Sequence, residues 1–442
     1  MSTQEKQGGN LFAIATMFAL FFMIAFVTNF ASPMGVIAKN QFNASNALSQ
    51  LGNAANFFAY LFMGIPGGII LKRKGYKFTA LAAVAVGFVG VGVQLLSGYV
   101  SSFAVYVIGA FIAGFSMCML NLVVNPMLNT LGGGGNKGNQ LVQFGCSLNS
   151  VGATLSPAVL GWLIGEITKD TSFIKAAPAL MIAMGIFAVA FVIVAFSRIP
   201  EPHMETAEEK AARLSGGSSV FGDIAETLKF RHFTFGAIAI FFYIVIEVGV
   251  PSMGMLYMTD CVKDAAGEIV SKGPGYVGGA VAGVVCGAYW FLMMCGRLLG
   301  GVVGGKVSSR VQVSFLATLG IALLLAAMFS PVKMVTLFGY SFPLSMAFMV
   351  AVGLCTSVMW GGIFNMAAEG LGKYVPMGSG IFMAMVCGGL LIPVQGLIAD
   401  KIGILSSYWL LPCGRRHVLT LVPHLWNGCE DPESFLRILR GT

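Results

Sequence analysis

The sequence predicts an all-α membrane protein in which twelve helices cross the bilayer as two bundles of six. Of its 442 residues, 57% are hydrophobic and 10% are charged, whereas an average soluble protein carries about 25% charged residues. The charges gather between apolar runs of about 20 residues, the length needed to cross a hydrocarbon core of about 30 Å. Because that core offers no water, each run must satisfy its own backbone hydrogen bonds and therefore forms a helix.

We number the predicted crossings spans 1 to 12 in chain order. They cover residues 11–36, 50–71, 78–98, 103–130, 140–167, 174–197, 233–258, 276–300, 311–330, 343–368 and 377–399, with a last start at 405. A polar stretch interrupts the series after the sixth span. The sequence therefore predicts an N-terminal bundle over residues 1–197, a linker over 198–231 and a C-terminal bundle over 232–411.

The twelfth span begins at Leu405 but does not continue as an apolar helix. Arg415 and Arg416 fall about eight residues into it, and a charged residue at the bilayer centre costs roughly 2.5–3.5 kcal/mol. Residues 412–442 fit no membrane pattern. We therefore expect a truncated last helix followed by an atypical, disordered tail, as a frameshift would produce.

Lys and Arg are concentrated on one face of the implied topology, notably at Lys72, Arg73 and Lys74 and in the linker. By the positive-inside rule this face is cytoplasmic, and so is the N-terminus. The three loop cations are predicted first as topology determinants and second as a gate. The same asymmetry accounts for the net charge of +8, so we expect a lipid bilayer and no nucleic acid as partner.

The two halves share a weak internal repeat. Asn125 in span 4 is followed by Leu131-Gly132, and Asn365 in span 10 is followed at the same offsets by Leu371-Gly372. Pro157 in span 5 and Pro393 in span 11 also correspond. Such similarity between six-helix halves is typical of transporters, whose substrate binds near the midplane between the repeats.

Two groups of motifs carry a resemblance to a known family. Residues 64–68 (GIPGG) and 72–77 (KRKGYK) resemble the loop signature after the second helix of the major facilitator superfamily. Asn125-Pro126 and residues 148–152 (LNSVG) resemble the fucose permease family of sugar:proton symporters. The elements Glu247-Val248 and Glu369 to Gly372 are similar too, and the resemblance covers about residues 11–410.

This resemblance implies a monomeric carrier in a bacterial inner membrane. Such a carrier would import a monosaccharide (a hexose, a deoxyhexose, or an amino or acidic sugar) with protons, or Na+, by alternating access. The chain departs from the family at two carboxylates. Span 1 carries none, and the position four residues before the Asn-Pro pair of span 4 is Asn121.

Amide and aromatic side chains inside the spans are the candidates for substrate binding. Sugar hydroxyls need groups that donate and accept hydrogen bonds, usually beside an aromatic face. The alternative is that these amides only join neighbouring helices, at about 0.6 kcal/mol each. The candidates are Asn29, Asn121, Asn125, Gln143, Asn149, Tyr243, Trp360, Asn365 and Gln395.

Glu247 is the acidic residue that lies deepest in an apolar run, between Phe241 and Val250. Burial favours the neutral form of a carboxyl group, so Glu247 is the candidate for proton coupling. The alternative is a structural carboxyl bonded to a neighbouring helix. Arg297 lies near the predicted cytoplasmic end of span 8, where we expect a gating role.

Other function classes fit the sequence less well. The pockets of multidrug or other small-solute efflux carriers are mostly apolar and aromatic, so the many amides argue against such a carrier. The damaged twelfth span leaves a membrane sensor that no longer transports as an open alternative. The sequence contains no HExxH, Ser-His-Asp or Walker pattern, so we expect neither an enzyme nor a cofactor. The nine cysteines lie mostly in apolar runs without a CxxC pair, which indicates small core residues and no metal site.

Overall fold

The structure is a computed structural model, and it describes residues 3–28, 37, 51–164, 174, 176–214, 219–263 and 269–408. Asn29 and the predicted tail over residues 412–442 lie outside the described residues.

The first half contains long apolar helices. Span 1 is Thr3–Thr28, span 4 is Phe103–Leu131, span 5 is Gly135–Ile164 and span 6 is Ala177–Phe196. Spans 2 and 3 are the two arms of Leu51–Val100.

The helix Leu51–Val100 is broken at Gly75, where φ is +84°. Only glycine takes this conformation at low cost. The two arms run in opposite directions along span 4, because Gly52 meets Tyr106 near the start of span 4 while Gly109 meets Gln94 near the end of the second arm. The break at Gly75 therefore produces the turn between spans 2 and 3.

The linker contains two short helices, Ala207–Leu214 and Val220–Lys229. In the second half, span 7 is Arg231–Thr259, span 8 is Gly279–Gly304 and span 9 is Ser309–Phe329. Two antiparallel hairpins follow spans 7 and 9; their strands are Cys261–Lys263 with Ile269–Lys272, and Met334–Leu337 with Tyr340–Pro343.

Spans 10 and 11 are each built from several helical pieces. Span 10 joins Leu344–Thr356 to Met359–Ala368. Span 11 consists of the 3₁₀ turn Gly372–Tyr374, the helix Val375–Ala384, the 3₁₀ segment Met385–Leu391 and the helix Ile392–Ile402. Span 12 begins with Ile404–Ser407.

The described residues have the predicted fold class. Nine of their segments are long and apolar enough to cross a membrane. One of these, Ala54–Val100, contains both arms of the broken helix, and Gly135–Ile164 packs among the others as span 5. Large apolar side chains such as Phe196, Phe315 and Leu397 stay exposed on the outside, as lipid-facing residues should.

The two halves pack against each other on the side where the linker lies, which we call the linker side. A Cβ atom on Gly64 of span 2 would lie 2.6 Å from the carbonyl oxygen of Gly380 in span 11. A Cβ atom on Gly301 of span 8 would lie 2.7 Å from the Phe144 ring of span 5. Small residues thus let the helices of opposite halves approach closely, and the linker side is closed.

Candidate functional site

Glu247 has a partner of opposite charge. Its Oε1 accepts a hydrogen bond from Nη2 of Arg297 at 3.0 Å, and the two side chains are only 12% and 9% exposed. The side chain of Arg297, which the sequence predicts as a gating residue near the cytoplasmic end of span 8, therefore turns inward to a buried carboxylate. Burying a carboxylate is tolerated when an opposite charge and further hydrogen bonds compensate for the lost water, and the long Arg side chain reaches inward to supply them.

Arg297 also joins the two halves of the molecule. Its Nη1 donates to Ser150 Oγ at 2.6 Å and to the carbonyl oxygen of Cys146 at 3.3 Å, both on span 5. The carboxylate of span 7 is thus connected through one guanidinium to the opposite bundle. A change in the charge of Glu247 would act directly on this contact between the halves.

Two tyrosines surround the ion pair. Tyr243, one turn before Glu247, lies within hydrogen-bonding and electrostatic reach of both charged groups, and its hydroxyl is buried. The hydroxyl of Tyr289 donates to the backbone oxygen of Glu247 at 3.1 Å and lies 3.2 Å from Thr356 Oγ1. The two tyrosines thus place one hydroxyl beside the carboxylate and one on the backbone of span 7.

Aromatic rings and amides meet where span 4 faces span 10. Trp360 Nε1 donates to Asn125 Oδ1 at 3.0 Å, and Asn125 Nδ2 donates to the backbone oxygen of Asn121 at 2.9 Å. Asn121 Nδ2 donates to the Tyr60 hydroxyl at 2.9 Å. The Trp360 ring lies 6.4 Å from that of Tyr243. The structure therefore brings together four of the predicted binding residues, with hydrogen-bonding groups beside aromatic faces.

Two other predicted residues join the halves on the linker side. Gln143 Nε2 of span 5 donates to the backbone oxygen of Val358 at 2.8 Å. Asn365 Oδ1 accepts from Asn129 Nδ2 at 2.5 Å, and Asn365 Nδ2 donates to Ser309 Oγ at 3.0 Å. Asn129 was not among the predicted residues, although its position one turn after Asn125 on the same helix face could have indicated it.

Asn149 and Gln395 are held within their own halves. Asn149 Nδ2 donates to the backbone oxygen of Phe21 in span 1 at 3.0 Å. Gln395 Nε2 lies 3.5 Å from Ser407 Oγ at the start of span 12. These two amides make the helix-joining contacts that were the alternative to substrate binding.

The loop between spans 2 and 3 is bound by the linker. Lys72 Nζ pairs with Asp223 Oδ2 at 2.7 Å, whereas Arg73 and Lys74 remain exposed. The Glu201 carboxylate accepts hydrogen bonds from the backbone N–H groups of Tyr76 and Lys77. The linker thus caps the start of span 3 with a negative charge, the sign favoured at a helix N-terminus.

His203 adds a further contact between the linker and the start of span 3. Its Nδ1 lies 2.7 Å from the Tyr76 hydroxyl, and the two rings are 5.9 Å apart. Burial lowers the pKa of His203, because a partly desolvated imidazole favours its neutral form.

Titratable side chains do not cluster as metal ligands in the described part of the chain: no group of three or more His, Cys, Asp and Glu side chains there could hold a metal ion.

Residues 15–389 match the sequence model of the Major Facilitator Superfamily. The chain belongs to this superfamily. The expected class, a membrane carrier and not an enzyme, is thereby confirmed.

The relatives of this superfamily member bear out the family resemblance. A glucose/galactose transporter of Brucella abortus biovar 1 (strain 9-941) is 27% identical over 93% of this chain and 92% of the relative. The L-fucose-proton symporter of Escherichia coli (strain K12) is 22% identical over 90% of this chain and 89% of the relative.

Solved structures agree on the fold. The transporter FucP in its outward conformation has a TM-score of 0.77 at 16% identity, covering 93% of this chain and 98% of that one. The proton:xylose symporter XylE has a TM-score of 0.66 at 14% identity, with 95% of each chain covered. At these identities the similarity establishes the two-bundle fold.

Proposed function

We propose that this superfamily member imports a monosaccharide, a hexose or deoxyhexose, together with protons by alternating access. The observation that carries the proposal is the buried pair of Glu247 and Arg297, which links a titratable carboxyl to the contact between the halves. The relatives named as glucose/galactose transporters and as an L-fucose-proton symporter support the substrate class and the coupling ion.

The ion pair suggests how a proton could be coupled to opening of the carrier. While Glu247 is ionised, its attraction to Arg297 holds the guanidinium in the position from which it also binds Ser150. Protonation removes the negative charge and weakens this attraction. Arg297 can then release span 5, and the linker side can open. Glu247 would then release its proton into the compartment on the linker side. This release would restore the ion pair and close the linker side again.

The amides and rings between spans 4 and 10 are the proposed sugar site. Asn121 and Asn125 can exchange their mutual hydrogen bonds for bonds to sugar hydroxyls, while Tyr243 and Trp360 offer faces for the C–H side of the ring. Gln143 and Asn365 bridge the halves and are proposed to reach the sugar as those bridges break. Asn29 of span 1 is also proposed to bind the sugar.

Orientation and organisation are part of the same proposal. The cation-rich linker side is assigned to the cytoplasm of a bacterium, with the chain as a monomer in the inner membrane. The domain boundaries proposed are residues 1–197, 198–231 and 232–411. In this orientation, closure on the linker side corresponds to a carrier that faces the periplasm.

Uptake into membrane vesicles tests the proposal. Radiolabelled glucose, galactose, fucose and xylose are offered with a proton gradient, with a Na+ gradient, and with a proton ionophore. We expect at least one sugar to accumulate in a way that the ionophore abolishes, and Glu247→Gln to equilibrate that sugar without concentrating it. Glu226→Gln, which alters an exposed linker carboxylate, is the control. Undiminished accumulation by Glu247→Gln would assign coupling to another group.

A further inference from the structure

Span 5 presents a row of polar side chains to the opposite half on the linker side. The row, which we call the span-5 stripe, consists of Asn139, Gln143, Ser147 and Ser150. Spacings of three and four residues place them on one helix face. All four are buried, Asn139 and Gln143 completely so.

The stripe is buried without enough hydrogen-bond partners. Neither Oδ1 nor Nδ2 of Asn139 has a partner among the described residues, and the same holds for Oε1 of Gln143. A buried polar group left unpaired is unfavourable. The closed linker side therefore contains groups that would gain hydrogen bonds by meeting water or a polar ligand.

The opposing helices are shaped to receive the stripe. A Cβ atom on Gly304 of span 8 would lie 3.2 Å from Asn139 Nδ2, and one on Gly361 of span 10 would lie 2.9 Å from Gln143 Nε2. The glycines let the amides fit between the halves but offer them no side-chain partner. The stripe is thus covered only as long as the halves stay together.

We infer that the span-5 stripe lines the release path of the carrier and binds the polyhydroxylated substrate after the linker side opens. The substrate class rests on the function proposed above. Asn139 and Gln143 provide donors and acceptors suited to sugar hydroxyls, and they become accessible only when span 5 leaves span 8. Because polar atoms of both amides are buried without hydrogen-bond partners, the closed state is less stable than it would otherwise be. The carrier can therefore open and close reversibly.

Replacing an amide by leucine tests whether it is unpaired. Asn139→Leu removes two unpartnered atoms with a side chain of similar shape, so we expect its melting temperature in detergent to rise by about 1–4 °C. Asn149→Leu on the same helix loses a real hydrogen bond to Phe21 and should melt lower. Asn139→Ala, which cannot overpack the interface, is measured as well. If both Asn139 variants melt below the wild type, Asn139 joins helices and the inference fails.

Transport kinetics test the release step. A more stable closed state should slow sugar counterflow by Asn139→Leu about fivefold, the ratio that 1 kcal/mol produces. The affinity of Asn139→Leu for sugar that binds from the side opposite the linker should equal that of the wild type. Counterflow at the wild-type rate in a variant with raised melting temperature would overturn the role in release.

Cysteine labelling separates this inference from the proposed function. Asn139→Cys in proteoliposomes is treated with a maleimide, and labelling above that of the wild-type protein measures exposure of the stripe. We expect labelling during turnover and protection by excess transported sugar. Labelling without protection by any sugar would reject the sugar site but retain the opening of this face. Absence of labelling while sugar accumulates would reject the stripe and leave the transport function intact.

Discussion

At the scale of single residues, Glu247 and Arg297 depend on each other for a stable place in the interior. Each is almost entirely buried, and the charge of one compensates for the desolvation of the other. Breaking a buried ion pair from one side typically costs about 3–5 kcal/mol, because an uncompensated charge remains. Neutralising both partners should cost much less.

We therefore expect Glu247→Gln and Arg297→Gln each to lower the melting temperature in detergent, and the double variant to regain most of the loss. Concentrative uptake should stay absent in all three, since the titratable carboxyl is missing or has lost its link to span 5. Thermal unfolding and vesicle uptake measured on the same preparations check this. Equal additive losses in the double variant would contradict the paired role.

Asn121 and Asn125 are expected to contribute to sugar affinity. Losing a hydrogen bond to a neutral group changes binding by about 0.5–1.5 kcal/mol, which corresponds to about a two- to tenfold change. Asn121→Ala and Asn125→Ala should each raise the half-saturation constant of uptake by that factor. Asn149→Ala, whose amide is bonded within the N-terminal half, is the matched control. Wild-type affinity in both variants would assign these amides to helix joining alone.

At the scale of elements, the linker acts on the turn between spans 2 and 3. Glu201 accepts two backbone hydrogen bonds at the start of span 3, while Asp223 makes one ion pair with Lys72. The ion pair is only 12% and 18% exposed, so the loss of water around both charges offsets much of its attraction, and the flexible Lys72 side chain can turn to water when Asp223 is neutral. Hydrogen bonds to a charged group contribute about 1.5–3 kcal/mol before solvent screening. The cap should therefore matter more than the ion pair.

We expect Glu201→Ala to lower the melting temperature more than Asp223→Asn does. Gly75→Ala should be at least as harmful, because the positive φ is strained for alanine and its Cβ would collide with the Glu201 carboxylate. Glu208→Ala, at an exposed position of the linker, is the control. A larger effect of Asp223→Asn would show that the ion pair is the main contact of the linker.

His203 should make this contact sensitive to pH. Its pKa is lowered by burial, so the unfolded chain binds a proton more readily than the folded one. Its contribution to stability is then complete above the ordinary pKa of about 6.5 and is lost as the pH falls below that value. We expect the melting temperature to decline below pH 6.5 less steeply in His203→Gln than in the wild type. If the melting temperatures of His203→Gln and the wild type decline equally with pH, His203 does not cause the pH dependence.

At the scale of the whole molecule, contacts between the halves hold the linker side shut. Spans 2 and 11 touch through their backbones, spans 5 and 8 through glycines, and spans 4 and 10 through the bond between Asn129 and Asn365. Alternating access requires all three contacts to separate during each cycle. A covalent bond across any of them should stop transport.

Asn129→Cys combined with Asn365→Cys provides such a bond, because the two side chains already touch. Oxidation should abolish uptake, and a reductant should restore it. Each single cysteine variant under the same oxidant is the control for the native thiols. Continued uptake by the cross-linked carrier would mean that this part of the linker side does not open.

The sequence by itself determined the crossings, their grouping in two sets of six and the superfamily. Hydropathy and loop charge are local properties, and a span of about 20 apolar residues has no alternative to a membrane helix. It also identified Glu247, because a carboxylate in such a run stands out whatever surrounds it. It predicted most of the residues that the structure brings together between spans 4 and 10.

Only the tertiary structure decided which of these residues are partners. Arg297 is 50 residues from Glu247 and belongs to another span, so its inward direction depends on how spans 5, 7 and 8 pack. The same holds for Asn129 beside Asn365 and for the unpaired amide of Asn139. Side-chain direction and long-range contact are set by packing between helices, and no local pattern of residues encodes them.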